Sequence, residues 1–314
     1  MAAAFQLEQV TKRYGAVEAL HEVSFAGHPG EVVGLLGPNG AGKTTAVKCL
    51  VGLVHPGAGR ALLQGEPAHL PESRRSLGYV PERPVLPGWL DAAELMDREG
   101  RMYGLPRPLR REVTARLLDR LGLPGAMWRR RVGTWSKGEQ TRLLVALALV
   151  GDPGVVLLDE PTDGLDPIGR RAVKDVLGEL RKEGRAVLLN SHALAEVEEV
   201  CDRVVVLRAG RVVGEGTPAQ LRAAHRPCYE VRLGAPPSPE VLADLRARWG
   251  EVQARDDALE LTLSSVGETD ALVDWLRERR VSLRELRRKD GLEEAVLRLV
   301  APPTQEPAAQ EPAA

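Results

Sequence analysis

The run Gly37-Pro38-Asn39-Gly40-Ala41-Gly42-Lys43-Thr44, with the spacing G-x-x-x-x-G-K-[S/T], limits what this chain can fold into more than any other feature; it directly follows the apolar segment Val32–Leu36. Glycines at this spacing let consecutive backbone N–H groups turn inward around an anion, and a helix expected to begin near Lys43 adds the positive end of its dipole. Lys43 is then placed to reach the β- and γ-phosphates of a nucleotide, and the Thr44 hydroxyl to ligate Mg²⁺. Gly37, Asn39, Gly40, Ala41, Gly42 and Thr45 complete the expected phosphate cradle. A loop of this kind needs a strand before it and a helix after it, so the fold class expected is α/β, a P-loop NTPase core.

A second run, Val155–Asp159, carries only apolar residues before ending in Asp159 and Glu160. Asp159, at the carboxyl end of a strand beside a phosphate loop, is expected to support Mg²⁺. Successive strand residues alternate faces, so Glu160 is expected to project away from Asp159 and to orient an attacking water as general base. The segments Ala186–Asn190 and 203–207 are also continuous apolar runs, as suits strands buried on both faces. Between 91 and 150 such runs give way to helical stretches, broken at 104–108 and 122–125. A helical subdomain is therefore expected over about residues 84–150. Past Pro218, strands at 229–233, 258–263 and 282–286 alternate with helices near 240–249 and 270–280. This organisation divides the chain into a nucleotide domain over 1–225, a small α+β domain over 226–300 and a tail over 301–314 whose composition favours disorder.

Charge and length then exclude several classes. With 43 basic and 44 acidic residues the net charge is -1, so the chain is not a polycation built for nucleic acid. Its longest apolar run, 143–150, is far shorter than the roughly 20 residues a spanning helix needs, and the N-terminus lacks the basic and apolar regions of a secretory signal. Cys49, Cys201 and Cys228 lie in no metal or redox spacing. The charge is uneven: residues 72–131 hold 13 arginines against 8 acids. That imbalance fits an electropositive face toward anionic lipid or a partner, and equally fits solvated helix faces in an arginine-rich protein.

Between the two nucleotide elements stands Trp135-Ser136-Lys137-Gly138-Glu139-Gln140, and here the chain resembles the ATP-binding-cassette (ABC) family. The family's signature, usually L-S-G-G-Q, is matched by Ser136 and Gly138, while Trp135, Lys137 and Glu139 depart from it. This form is similar to that of cassettes serving separately encoded export permeases. The pattern S-x-x-E also reads as a capping box for the helix that follows, and the two readings coexist. The resemblance implies further roles. Tyr14 corresponds to the aromatic that stacks on adenine, and Asp166, in Gly164-Leu165-Asp166-Pro167, to the loop that passes between subunits. His192 corresponds to the histidine at the γ-phosphate. Asp166 with Pro167 is also a helix start in its own right. Glu82 stands where the family usually has a metal-sensing Gln, so its metal role rests on a carboxylate substituting for an amide. The segment 291–299 is similar to the last helix of an accessory domain in the same group.

The resemblance implies an ATPase that binds ATP and Mg²⁺, with Glu160, His192 and Lys43 carrying catalysis. Two ATP-binding subunits, a homodimer in preference to a heterodimer, would sandwich ATP between the phosphate loop of one and Ser136, Gly138 and Glu139 of the other. An integral membrane permease is the implied partner, on the cytoplasmic face of the cell membrane, with export as the direction; no nucleic acid is expected. The alternative, a soluble ABC ATPase acting on DNA or ribosomes, usually brings coiled coils, zinc cysteines or tandem cassettes, and this sequence has none of them.

Overall fold

The structure is a computed structural model and describes residues 2–83, 85–223, 228–250, 252–265, 267–288 and 291–301. The expected tail, from 302 onward, lies outside the described residues. The chain divides into two compact units, one ending at Pro218 and the other starting at Ala219. This division falls seven residues before the expected boundary, because most of the short helix at Pro218–Ala223 groups with the second unit.

The first unit opens with a long hairpin, β1 (Phe5–Tyr14) and β2 (Val17–Gly27), and continues through β3 (Val32–Leu36), α1 (Lys43–Leu50), β4 (Ala58–Leu63), β5 (Glu66–Pro67) and β6 (Leu77–Val80). Three helices follow: α2 (Ala92–Met102), α3 (Arg107–Arg120) and α4 (Lys137–Leu149). The chain then returns to strand and helix with β7 (Val155–Asp159), α5 (Pro167–Lys182), β8 (Ala186–Asn190), α6 (Leu194–Val200), β9 (Arg203–Arg208) and β10 (Arg211–Gly216), after which α7 (Pro218–Ala223) begins at the division.

Two sheets result. One is antiparallel, in the order β2-β1-β4-β5, and the other has the order β10-β9-β3-β8-β7-β6. Within the second, β6, β7, β8, β3 and β9 run parallel, and β10 closes the edge antiparallel. All five residues of β3, β7 and β8 are buried, as continuous apolar runs require when both faces are covered. One face of this sheet, through Val33, Leu35, Leu157, Leu188 and Val205, shares a core with α1 and with Phe5, Leu7 and Leu20 of the antiparallel sheet. The expected strand runs are present. The antiparallel sheet adds what they did not announce.

The helical stretch 92–149 interrupts the strand pattern where expected, and two of its helices, α2 and α4, start on capping boxes. At α2, Asp91 accepts from the Glu94 N–H and the Glu94 carboxylate accepts from the Asp91 N–H. At α4, Ser136 and Glu139 make the same reciprocal pair, at 3.2 and 2.7 Å.

The second unit carries β11 (Cys228–Leu233), α8 (Pro239–Trp249), β12 (Val252–Arg255), β13 (Ala258–Thr262), α9 (Glu268–Glu278), β14 (Leu283–Arg288) and α10 (Leu292–Val300). Its antiparallel sheet has the order β12-β13-β11-β14. A β-α-β-β-α-β chain in that order is the ferredoxin-like arrangement, a sharper description than small α+β. Val231, Leu233, Leu259 and Leu261 face Leu245, Leu272 and Trp275 in one core. Trp249 meets Trp275 edge-on, with centroids 5.5 Å apart. At the sheet edge β14 is mostly charged, with Arg284, Glu285, Arg287 and Arg288 among its six residues.

Because each unit has its own apolar core, removing residues 226–314 should leave the first unit folded and still able to bind ATP through its 37–44 loop. Isothermal titration of the shortened chain checks this, and loss of binding by a folded product would overturn the division.

Candidate functional site

The parallel ladder fixes the site. β3, β8 and β7 end side by side, with Leu35 paired to Asn190 and Asn190 paired to Asp159. The phosphate loop leaves β3 at that edge, Glu160 follows β7 and His192 follows β8. Carboxyl ends of parallel strands are where such sheets bind ligands.

Two loop glycines are dictated by crowding. Gly37 (φ 147°) lies so close to β9 that a Cβ would stand 2.2 Å from the Leu207 carbonyl oxygen. Gly42 (φ 104°), the residue before α1, would place a Cβ 2.4 Å from the Ala19 carbonyl oxygen of β2. Any side chain at either position must displace a backbone. The loop is thus wedged between the parallel sheet and the hairpin whose other strand ends in Tyr14. The Tyr14 ring is half exposed, with Lys12 Nζ 5.4 Å from its centroid.

Lys43 folds back over the loop, its Nζ donating to the carbonyls of Gly37 at 2.6 Å and Pro38 at 3.1 Å. Burial lowers its pKa, opposed by the negative charges of Glu160, Asp159 and Glu82. These three carboxylates therefore share the lysine's surroundings. Asp159 is almost wholly buried and accepts from the Asn190 carboxamide. Burial raises its pKa, the Asn190 bond works against this, and the charge of Glu82 adds to it. Tyr79 on β6 is pushed up to about 12 by burial and by the same two carboxylates.

Glu160 corrects the alternation argument. Its backbone is left-handed, with φ 52°, so the strand ends at Asp159 and a sharp turn, not the strand's two-residue period, aims the Glu160 side chain. The Glu160 N–H donates to the Asn190 carbonyl at 2.8 Å, which pins the turn to β8. Its Oε2 lies 2.7 Å from His192 Nδ1 and accepts from the His192 backbone N–H at 3.3 Å. Burial raises the Glu160 pKa and the histidine contacts pull it back.

A cavity of about 420 Å³ is lined by Glu82, Asp159 and Glu160 together with Lys137, Gln140 and Asp163. The structure thus brings together Lys43, Glu82, Asp159, Glu160 and His192. Glu82 is half exposed and 3.5 Å from Arg83 Nε. Thr44 and Thr45 lie in the first turn of α1, both part-buried. Ser136, Gly138 and Glu139 sit at the start of α4, and among the described residues no hydrogen bond or ion pair joins them to the phosphate loop. Asp166 caps α5 by accepting from the Gly169 N–H at 2.8 Å, with Pro167 at the first helical position. Sequence reasoning missed Asn190, the partner of Asp159, although it stands two residues before His192 on a recognised strand. It also missed Asp163, which pairs with Lys137.

Comparison with known proteins fits this geometry. Residues 20–163 match the ABC transporter family. The chain is 36% identical over 299 residues to the Nod factor export ATP-binding protein I of Burkholderia pseudomallei, covering 95% of this chain and 97% of that protein. This chain belongs to the ABC transporter ATP-binding family. It is also 35% identical over 286 residues to an uncharacterized ABC transporter ATP-binding protein of Synechocystis, covering 85% of this chain and 80% of that one. Among solved structures, the ATP-binding subunit of an ABC transporter aligns with a TM-score of 0.66 at 32% identity, over 70% of this chain and 92% of that one. A bacterial ABC transporter cassette solved as a dimer aligns at 0.63 with 25% identity, over 68% and 98%. As a member of this family the ABC subunit is an ATPase. No helix among its described residues is long and apolar enough to cross a membrane.

The N-cap at Asp166 yields a stability prediction. Asp166→Ala should cost about 1 kcal/mol of unfolding free energy, measured by urea denaturation, whereas Asp166→Asn should cost less than half as much.

Proposed function

We propose that this ATPase is the energy-coupling subunit of a membrane exporter, working beneath a permease carried on a separate chain at the cytoplasmic face of the membrane. Support for export comes from the relative named for Nod factor export, and support for pairing from the neighbour solved as a dimer. The observation that carries the chemistry is the Glu160 carboxylate held 2.7 Å from His192 in the surroundings of Lys43 and the buried Asp159.

In this reading the loop N–H groups of residues 37–45 bind the phosphates, and Lys43 exchanges its carbonyl partners for β- and γ-phosphate oxygens. Tyr14 stacks on the adenine. Glu160 takes the proton of the attacking water, and His192 fixes the carboxylate and reaches the γ-phosphate. The rate enhancement is then mainly positioning and charge stabilisation of an in-line attack.

The residues present fit Mg²⁺. The charge of Glu82 opposes the ionisation of Asp159, an imbalance that a cation relieves, and the Thr44 hydroxyl offers an oxygen ligand at the start of α1. So few protein donors suit a metal that keeps waters and nucleotide phosphates in its shell. When bound, Mg²⁺ would neutralise charge on the β- and γ-phosphates.

Two such subunits would close around two ATP molecules, Ser136, Gly138 and Glu139 of each facing the nucleotide of the other, with Asp166 in the loop between them. Hydrolysis removes the bridging phosphate and lets the subunits part. The stroke passes to the permease through Glu82 and the following segment up to Tyr103.

Glu160→Gln should lower turnover by about 100-fold or more while sparing ATP binding, and a dimer should accumulate with ATP in size-exclusion chromatography. Turnover near that of the unaltered chain would sink the assignment of the general base. The pH profile offers a second check. Glu160 acts as the carboxylate and burial raises its pKa, so kcat/KM should fall with decreasing pH along a limb centred above the ordinary value of 4.5. Because the histidine contacts lower that pKa, His192→Gln should move the limb to higher pH in whatever activity remains. A limb that stays in place would contradict the pairing.

A further inference from the structure

Lys137 occupies the signature position where the family usually has glycine, and its side chain is engaged. Its Nζ lies 2.8 Å from Asp163 Oδ2, an ion pair between residues 26 positions apart. The lysine stem also lies along the next residue: a Cβ on Gly164 would stand 3.1–3.4 Å from Lys137 Nζ, Cδ and Cε. One residue further in each segment, a Cβ on Gly138 would come within 3.2 Å of Leu165 Cδ2. The start of α4 therefore rests on residues 163–165 at consecutive points.

The segment that receives these contacts is short and tightly held. The Asp163 N–H donates to the Glu160 carbonyl at 3.3 Å, so the ion pair sits one turn from the carboxylate aimed at water. The Thr162 hydroxyl donates to the buried Glu196 of α6 at 2.6 Å, and Arg170 Nε donates to the Leu165 carbonyl at 3.1 Å. Glu160 itself is held by His192. Lys137, Asp163 and Glu160 line one cavity. A segment fixed by this many partners within seven residues shifts as a unit, so displacement at Asp163 reaches Glu160.

We propose that Lys137 is a positioning residue: its ion pair with Asp163 ties Ser136 and Gly138, which face the partner subunit's nucleotide, to the loop that aims Glu160 at this subunit's own nucleotide. Each chain thereby links the two ATP sites of the dimer, and closure on one nucleotide sets the general base at the other. The inference rests on the dimer reading above and adds the element that carries the linkage. The pair contributes little to stability, since both side chains are more than half exposed, at 66% and 53%. Its effect is on geometry, where a small misplacement of a reacting group is costly.

The test is steady-state ATP hydrolysis by the full chain, with melting temperature recorded for every variant. Lys137→Met and Asp163→Asn should each lower kcat by about tenfold with KM for ATP within about twofold, and should lower the Hill coefficient in ATP toward 1. The charge swap combining Lys137→Asp with Asp163→Lys should restore most of the loss, and Lys137→Arg should retain activity. Melting temperatures should stay unchanged throughout. Unaltered kcat in both single variants would overturn the proposal. So would a raised KM in Lys137→Met with Asp163→Asn silent, because the lysine would then serve the nucleotide directly. A swap as slow as the single variants would also overturn it. Glu160→Gln run alongside keeps the two readings apart: if that variant turns over normally, the base assignment fails and takes with it what Lys137 positions, whatever the swap does.

Discussion

Parallel pairing of β3, β8 and β7 is the constraint on which the rest of the cassette depends. Because Leu35, Asn190 and Asp159 sit in register, the three chain exits beyond them leave the sheet at one edge. Lysine, carboxylates and histidine, spread along the sequence from Lys43 to His192, converge without any contact of their own needing to bring them there. A slip of one residue in β7 would exchange Asp159 for an apolar neighbour and turn its carboxylate to the other face. Uniform burial gives no contrast between the faces, so the register is marked at the polar end of the ladder, where Asn190 donates to Asp159 and the Glu160 N–H donates to the Asn190 carbonyl. The contacts that fix the sheet there are thus the same ones that position the chemistry.

The convergence has an electrostatic cost. Glu82, Asp159 and Glu160 crowd one cation, Lys43, and burial opposes the charged form of the lysine, Asp159 and Glu160. The ammonium turns to loop carbonyls and the Glu160 carboxylate turns to His192. These partners are ones each group can leave, which suits a site that must take up a nucleotide and release its product. Asn190 contributes differently: it donates to Asp159, stabilising the anion from within the protein.

How much was legible in the sequence depends on the surface each element buries. The phosphate loop and the strands of the parallel sheet could be read because buried strands are written as unbroken apolar runs. The antiparallel sheet could not. Gln9 and Glu22 have left-handed backbones, and register shifts near Val10 break the alternation that would have marked β1 and β2. β12, with the residues Val-Gln-Ala-Arg, carries too little apolar content to stand out, and without it the ferredoxin-like order was out of reach. Within the site, Lys43, Asp159 and Glu160 could be picked out from the phosphate-loop spacing and the apolar strand before the carboxylates, and His192 only through the family resemblance. The left-handed turn that aims Glu160 was not, because nothing in the side chain of glutamate announces a positive φ. The Lys137–Asp163 pair was equally hidden, since only the folded chain brings a helix start against a loop 26 residues later.

The charged edge of the C-terminal domain bears on how the chain meets other copies of itself. An unpaired strand edge is a template for other chains. β14 presents arginines and a glutamate there, so a second copy laid along it in either direction must desolvate several charges, and like charges face each other in most registers. Strand-to-strand adhesion between copies is thereby disfavoured at this edge.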